Sequence, residues 1–255
     1  MIPEQIRTLI DQGALFVCNH SAGKDSQAMY LMLRDLVPAD QLILVHAELP
    51  GSDWPDLVEH IKATTKGEEL ILARAGKTFL EMVEKRGMFP SPSLRQCTSD
   101  LKRDPIAREL RRFVKANPQF QGRLVNCMGI RAQESASRAR KNPLKLDLRN
   151  SKAGREWWEW YPIFDMSEAE VFAAIEAAGQ EPHWAYAAGM SRLSCCFCIM
   201  SSQADLETAA RLRPDLLETY ANLEEKIGHT MSMSQRPLRE IVNAPKPCQA
   251  VFNFM

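Results

Sequence analysis

The feature that most constrains this chain is a regular alternation in its first 130 residues. Short apolar runs at 14–20, 42–48, 70–73 and 123–129 are separated by stretches of helical character at about 26–36, 55–66, 77–87 and 103–116. A further amphipathic helix is expected over residues 1–12. Runs of four to seven apolar residues are too short for helices and lack the alternation of a half-solvated strand. They suit strands of a parallel sheet, buried on both faces. Strands that alternate with helices give an α/β fold with a doubly wound parallel sheet. Right-handed crossovers and the rule that ligands bind beyond the carboxyl ends of the strands then put 19–26, 46–53 and 129–138 on one rim.

The later sequence is read in less detail. Residues 133–155 are polar and rich in Arg and Lys, with Glu134 and Asp147 among few acids, and are expected to form a mobile loop. The reading is that this loop orders over a nucleotide or a nucleic-acid acceptor. Apolar packing returns from Trp157 to Ile163. Ser167 followed three residues on by Glu170 is a capping box, which predicts a helix over 168–178 that ends at Gly179. Residues 180–255 are expected to be helical around a cysteine cluster. This organisation gives an α/β domain over 1–165 and a helical C-terminal region over 166–255.

Charge narrows the function little, because 32 basic residues balance 32 acidic ones. No apolar run approaches the roughly 20 residues that span a bilayer. The start, Met1 to Gln5, lacks the basic flank and apolar core of a secretion signal, so no membrane partner and a cytoplasmic location are expected. Seven cysteines in such a chain point to reduced thiols, metal ligands or catalysis rather than disulfides.

Directly after the first apolar run comes Ser21-Ala22-Gly23-Lys24-Asp25-Ser26, followed by a helix. Gly23 lets the backbone approach an anion, the helix start offers N–H groups and a positive dipole end, and Ser21, Ser26 and Lys24 add donors and charge. The spacing is not that of a Walker loop. Lys24 is expected on the solvated rim, where its loss would weaken binding without unfolding the chain. The second cluster on the rim is Gly129-Ile130-Arg131-Ala132-Gln133-Glu134-Ser135-Ala136-Ser137-Arg138, in which two guanidinium forks suit phosphate oxygens.

The loop resembles the pyrophosphate loop of the adenine nucleotide α-hydrolase-like superfamily, and its Gly-Lys-Asp-Ser looks like the phosphoadenylylsulfate (PAPS) reductase branch. Ala22 stands where the family usually has glycine. The 129–138 segment, Cys97 to Pro105, Trp160 to Ser167, and the His183-Trp184-Ala185-Tyr186 and Gly189-Met190-Ser191-Arg192 groups resemble that branch in the same order, over about residues 14–200. The resemblance implies an adenine nucleotide, ATP or PAPS/APS, with Mg2+, held by residues 21–26 and by Gly129, Arg131, Glu134 and Arg138. It also implies that His46, Ala47 and Glu48 lie at the adenine or ribose, although relatives often carry Asp in place of Glu48. Lys24, Asp25 and Arg131 are the candidate catalytic residues.

Cys195-Cys196-Phe197-Cys198 holds a Cys-x-x-Cys pair, whose thiolates suit iron or zinc. In cluster-bearing relatives a cysteine at the position of Cys97 meets that pair, which implies Cys97, Cys195 and Cys198 as ligands of a 4Fe–4S cluster. Zinc and bare thiols stay open, as does a fourth ligand: Cys196, Cys248 or none. Cys18 and Cys127 fall in apolar strands and read as buried. A PAPS reductase carries its catalytic cysteine in a C-terminal Glu-Cys-Gly-x-His motif, and the tail here, Pro245 to Met255, lacks it. The sequence therefore resembles ATP-pyrophosphatase components of DNA phosphorothioation systems and phage PAPS-reductase-like proteins. That resemblance implies an ATP pyrophosphatase or adenylyl-transferring enzyme in sulfur transfer, with a DNA or tRNA acceptor and a cysteine desulfurase as sulfur donor. PAPS/APS reduction and a nucleotide-binding subunit without turnover are the alternatives.

Overall fold

A computed structural model describes residues 2–243. Six strands form one sheet: β1 (Leu15–Asn19), β2 (Leu42–Glu48), β3 (Leu70–Arg74), β4 (Arg123–Cys127), β5 (Leu144–Leu146) and β6 (Glu156–Trp160). Their order is β3-β2-β1-β4-β6-β5, with every pairing parallel except β5 against β6. The doubly wound α/β fold expected from the alternation is the one observed. The chain winds outward from β1 to β3 and then returns to the other side at β4, so the order reverses between β1 and β4. Their carboxyl ends open a crevice there.

Helices cover both faces. In chain order they are α1 (Glu4–Asp11), α2 (Lys24–Leu36), α3 (Leu57–Thr64), α4 (Phe79–Arg86), the single turn α5 (Gln96–Thr98), α6 (Asp104–Ala116), α7 (Ala136–Ala139), α8 (Glu168–Ala177), α9 (Gln203–Leu212), α10 (Pro214–Ile227) and α11 (Leu238–Ile241). The period-2 alternation of strand side chains sorts the core into two clusters. Leu15, Val17, Ile43, Val45, Leu124 and Trp157 face Ala107, Leu110 and Val114 of α6. Phe16, Cys18, Leu42, Leu44, Val125 and Trp160 face the other way, in one cluster with residues of α2, α8, α9 and α10. Among the described residues no helix is long and apolar enough to cross a membrane.

Two stretches differ from the sequence reading. The 133–155 segment is folded rather than a free loop. It carries α7 and β5, and β5 pairs Leu144 with Trp160, Lys145 with Glu159 and Leu146 with Trp158. Lys145 Nζ also lies 2.9 Å from Glu159 Oε2. The three-residue strand is specified by its partner β6 and is too short to leave a pattern of its own. Residues 178–202 contain no helix: they form local turns, such as Met190 N to Ala185 O at 3.0 Å, and some donors go to distant partners, Ser191 N to Asp205 Oδ1 at 2.7 Å and Cys196 N to Ser52 O at 2.9 Å. The expected capping box is present, with Ser167 Oγ accepting from Glu170 N and Glu170 Oε2 accepting from Ser167 N.

Four of the five histidines of the chain lie together, two of them, His20 and His46, on the wall of the apolar crevice half. His46 Nδ1 is 2.8 Å from His20 O, His60 Nε2 is 3.3 Å from Gln27 Oε1, and the His60 and His183 rings sit 5.2 Å apart. Burial, then the neighbouring His46 and His60, pushes the His20 pKa down to about 3; burial, then His183, pushes His60 down to about 4. Both lie below the ordinary 6.5, so between about pH 4 and 6.5 the unfolded chain binds protons that the folded protein refuses. Stability is therefore full above pH 6.5 and falls as the pH drops through that window. The expected slope is up to one proton per histidine, about 1.4 kcal/mol per pH unit each. Denaturant midpoints measured from pH 7 to 4 should show this fall, and His60→Gln should flatten it. A midpoint independent of pH would contradict the assignment.

Candidate functional site

The crevice is built from the end of β1. Asn19 Nδ2 donates to Asn126 Oδ1 (2.7 Å) and to Cys127 O (2.8 Å), fastening β1 to β4 where the strand order reverses. The chain then turns through 20–23 into α2, which starts at Lys24, two residues earlier than its sequence pattern suggests. Ala22 is buried with φ 62°, a left-handed conformation that costs a residue with a Cβ roughly 1–2 kcal/mol. Its N–H donates to His20 Nδ1 at 3.2 Å, which helps hold the turn. Ser26 Oγ donates to Gly23 O (2.8 Å) and accepts from Ser21 N (3.1 Å), closing the loop on itself. The Tyr186 hydroxyl oxygen accepts from both Lys24 N (3.0 Å) and Leu193 N (3.3 Å), so the late segment is tied to the first turn of α2.

The cations of the loop are each held by a carboxylate. Lys24 is only 4% exposed. Its ammonium lies 3.1 Å from Glu168 Oε1 and 3.7 Å from Asp25 Oδ2, over the rings of Tyr186 and Phe172 at 5.4 and 5.8 Å. Burial opposes its charge most strongly, yet Tyr186, Asp25 and Glu168 together raise its pKa. Lys24 is thus a buried residue, not the solvated rim residue expected, and its removal would take from Glu168 its ammonium partner and from Tyr186 and Phe172 the cation over their rings. Arg131, equally buried, donates from Nε to Asp25 Oδ1 at 2.6 Å and from Nη1 to Gln133 Oε1 at 2.9 Å. Glu134 accepts from Arg131 N (2.9 Å) and pairs with Arg138.

Two halves of one crevice meet here. The polar half, about 480 Å³, is lined by Ser21, Gly23, Lys24, Asp25, Ser26, Gly129, Arg131, Glu134 and Arg138, so these sequence-predicted residues come together. The more apolar half, also about 480 Å³, is lined by His46, Ala47, Ile106, Met128 and Trp157. Asn19, Ser21, Arg192 and Leu193 line both. Ala22 is buried beneath the loop rather than on the crevice wall. Glu48 turns away: its carboxylate takes a bidentate contact from Arg74 on the neighbouring strand, at 2.5 and 2.9 Å.

The cysteines divide as follows. Cys18 and Cys127 are buried in β1 and β4, and burial raises their pKa values. Cys195 lines the apolar half of the crevice beside Asp53 and Lys102. Lys102 belongs to a π-helical turn, Ser99–Arg103, that joins α5 to α6. Its pKa is raised by Cys195 above all, against burial, and further by Asp53, Cys198 and Cys97. Cys97, Cys195 and Cys198 are near enough to Lys102 to act on its charge. Burial pushes Cys195 up to about 12 despite Lys102. By donor chemistry three thiols suit a soft metal centre. Among the described residues, however, no three His, Cys, Asp or Glu side chains are arranged to hold an ion, so ligation requires these thiols to rotate from their present positions. Cys196 is turned into the core, its sulfur 4.0 Å from Arg213 Nη1. Cys248 lies outside the described residues.

Several residues of the site carry no sequence signal. Asn19 is legible only as a polar residue ending an apolar run. Asn126 and Glu168 reach the crevice because distant segments fold onto it, whereas Lys102 and Arg192 fall in segments that resemble the family without a role that the resemblance assigns to them. Gly129 illustrates how tight the assembly is: a Cβ there would stand 3.0 Å from Asp25 C and O and 3.2 Å from Ser26 N. Gly129→Ala must therefore displace the start of α2 by a few tenths of an ångström. We expect it to weaken nucleotide binding several-fold while the fold persists, as checked by calorimetric titration alongside circular dichroism. Unchanged affinity would show that the loop can give way freely.

Comparison with known proteins follows this geometry. Over 158 residues the chain is 27% identical to the uncharacterized 37.8 kDa protein in the gpa 5' region of Escherichia phage 186, an alignment covering 62% of this chain and 46% of that protein. The chain thus spans about half the length of the curated relative it matches. Among solved structures it is similar to the PAPS reductase from Candida auris in a phosphate complex, at 14% identity over 70% of this chain and 80% of that one, with a TM-score of 0.47. It is also similar to the Candida glabrata FMN adenylyltransferase complex with FAD and inorganic pyrophosphate, at 14% identity over 76% and 59%, with a TM-score of 0.48. The family model for the phosphoadenosine phosphosulfate reductase domain matches residues 16–201, and the chain belongs to that family.

Proposed function

We propose that this protein binds ATP across the crevice and transfers its adenylyl group to an acceptor oxygen, releasing pyrophosphate, as the activating step of a sulfur transfer. The observation that carries this reading is the division of the crevice. A polar half holds the helix start, Lys24 and Arg131, and continues into an apolar half wide enough for a nucleoside. The junction, at Asn19, Ser21, Arg192 and Leu193, is then the place of the α-phosphate.

In this reading an acceptor oxygen attacks the α-phosphorus and the bond to the β-phosphate oxygen breaks. Pyrophosphate leaves into the polar half, and the acceptor proton goes to solvent. The loop N–H groups and Lys24 stabilise the charge that develops on pyrophosphate, the usual large electrostatic term. Because Lys24, Arg131 and Arg138 are already neutralised by Glu168, Asp25 and Glu134, an entering triphosphate competes with carboxylates. Mg2+ would arrive on the phosphates and draw on one or two of those carboxylates, as is common for this ion. A sulfur nucleophile then displaces AMP from the acceptor. Cys97, Cys195 and Cys198 are the residues that would hold an iron–sulfur cluster, and such a group would supply the sulfur-carrying centre. A nucleic acid, DNA or tRNA, fits as acceptor, and a cysteine desulfurase as donor. Reduction of PAPS or APS is the second reading, favoured by the family to which the chain belongs.

Anaerobically purified protein should release pyrophosphate from ATP in the presence of Mg2+ and acceptor. Glu168→Gln, which frees Lys24, should bind Mg2+-free ATP several-fold more tightly than the wild type. Iron and sulfide should co-purify and be lost in Cys97→Ser, Cys195→Ser and Cys198→Ser but retained in Cys18→Ser. Sulfite release from PAPS with no pyrophosphate from ATP would replace the proposal by the second reading. Nucleotide binding with neither product would make the chain a binding subunit.

A further inference from the structure

Away from the crevice, one groove is lined by cations without an acid among them. Arg108, Arg111, Arg112 and Lys115 of α6 form one wall, and Arg155 the other, around about 570 Å³. Positions 108, 111, 112 and 115 are spaced i, i+3, i+4 and i+7, so they share a helix face and span about 10 Å. The groove floor is backbone. Gly122 and Gly154 both have positive φ, and a Cβ on Gly122 would stand 2.5 Å from Gly154 O. Larger residues at this contact would part the two walls.

The nearest carboxylate, Glu109, is shared between Arg108 Nε (2.7 Å) and Arg112 Nη1 (3.0 Å), and so leaves most of the surplus uncompensated. Arg155 Nε is buried without a hydrogen-bond partner. Since the whole chain is balanced at 32 basic and 32 acidic residues, this positive surface is a segregation of charge, not a reflection of composition. One contact links the groove to the apolar half of the crevice: Arg111 Nη1 donates to Asn150 Oδ1 at 3.1 Å, and Asn150 lines that half.

We infer that this groove, at the amino-terminal ends of β4 and β6, seats the phosphate backbone of double-stranded DNA. The guanidinium forks match phosphate oxygens. Over the roughly 10 Å of the helix face a duplex presents about six phosphates. No aromatic side chain lines the groove, so the base stacking that holds single strands is lacking. Contacts of this kind follow the charge of the backbone rather than base edges, so binding is expected to be independent of DNA sequence. The inference rests on the adenylation reading only in taking the polymer for the acceptor, since the groove residues lie outside the crevice.

The test is fluorescence anisotropy of a labelled 20-base-pair DNA duplex with the full chain at several salt concentrations. Five phosphate contacts predict a slope of log affinity against log salt of about −4.5. Arg112→Ala/Lys115→Ala should lower affinity on the order of tenfold and reduce the slope by about two. Glu109→Gln, which removes the local acid, should tighten binding. Lys85→Ala, on α4, should change nothing. ATP affinity should stay constant in all four proteins, so failure of the groove is distinguishable from failure of the nucleotide site. No duplex binding at low salt, wild-type affinity in the double variant, or equal binding of single-stranded DNA, duplex RNA or heparin would overturn the inference.

Discussion

The crevice depends on the contact between Arg131 and Asp25. Asp25 lies in the first turn of α2 and Arg131 just beyond β4, so their 2.6 Å contact ties together the two segments that diverge where the strand order reverses. Arg131 is nearly out of reach of water, so losing Asp25 would leave its charge with only the oxygens of Gln133 and Met166 as partners. Sequence reasoning assigns both residues to catalysis. In the structure each occupies the other, and their direct effect is to fix the phosphate loop against the strand end. Gly129 makes the same approach possible from the backbone side, because nothing larger fits against Asp25.

A second consequence is electrostatic. Three cations of the polar half face three carboxylates, so most of its charge is balanced before ligand enters, and Arg192 supplies the surplus positive charge. Preorganised donors are useful where charge develops during a reaction, because little reorganisation is then needed. Neutral pairs also limit the affinity for a free anion, which has to exchange with Glu168 or Glu134. The arrangement favours a ligand that brings its own cation. Around Lys102, Cys97, Cys195, Cys198 and Asp53 come from three separate segments, but burial raises the pKa values of Cys97 and Cys195, so the ammonium does not hold these two thiols as ions.

Much of this was legible from the sequence. Apolar runs of a given length, alternating with helices, define a parallel sheet whichever side chains fill it, and the strand–loop–helix at 15–36 follows from where polarity changes. The positions of Ser21 to Ser26, Gly129, Arg131 and Arg138 on one rim follow from topology alone, because every parallel strand delivers its carboxyl end to the same side. What tertiary structure decided lies elsewhere. Strand β5 exists because β6 offers it an edge, so three residues in a basic segment become ordered without any periodicity. Residues 178–202 form local turns instead of a helix, and Ser52, Asp205 and Tyr186 accept from some of their backbone donors. Lys24 looks like a solvated lysine in one dimension and is buried because Glu168, Phe172 and Tyr186, more than a hundred residues away, close over it. Local sequence sets where a side chain is attached, but its charge state and exposure depend on partners that only the folded chain brings near.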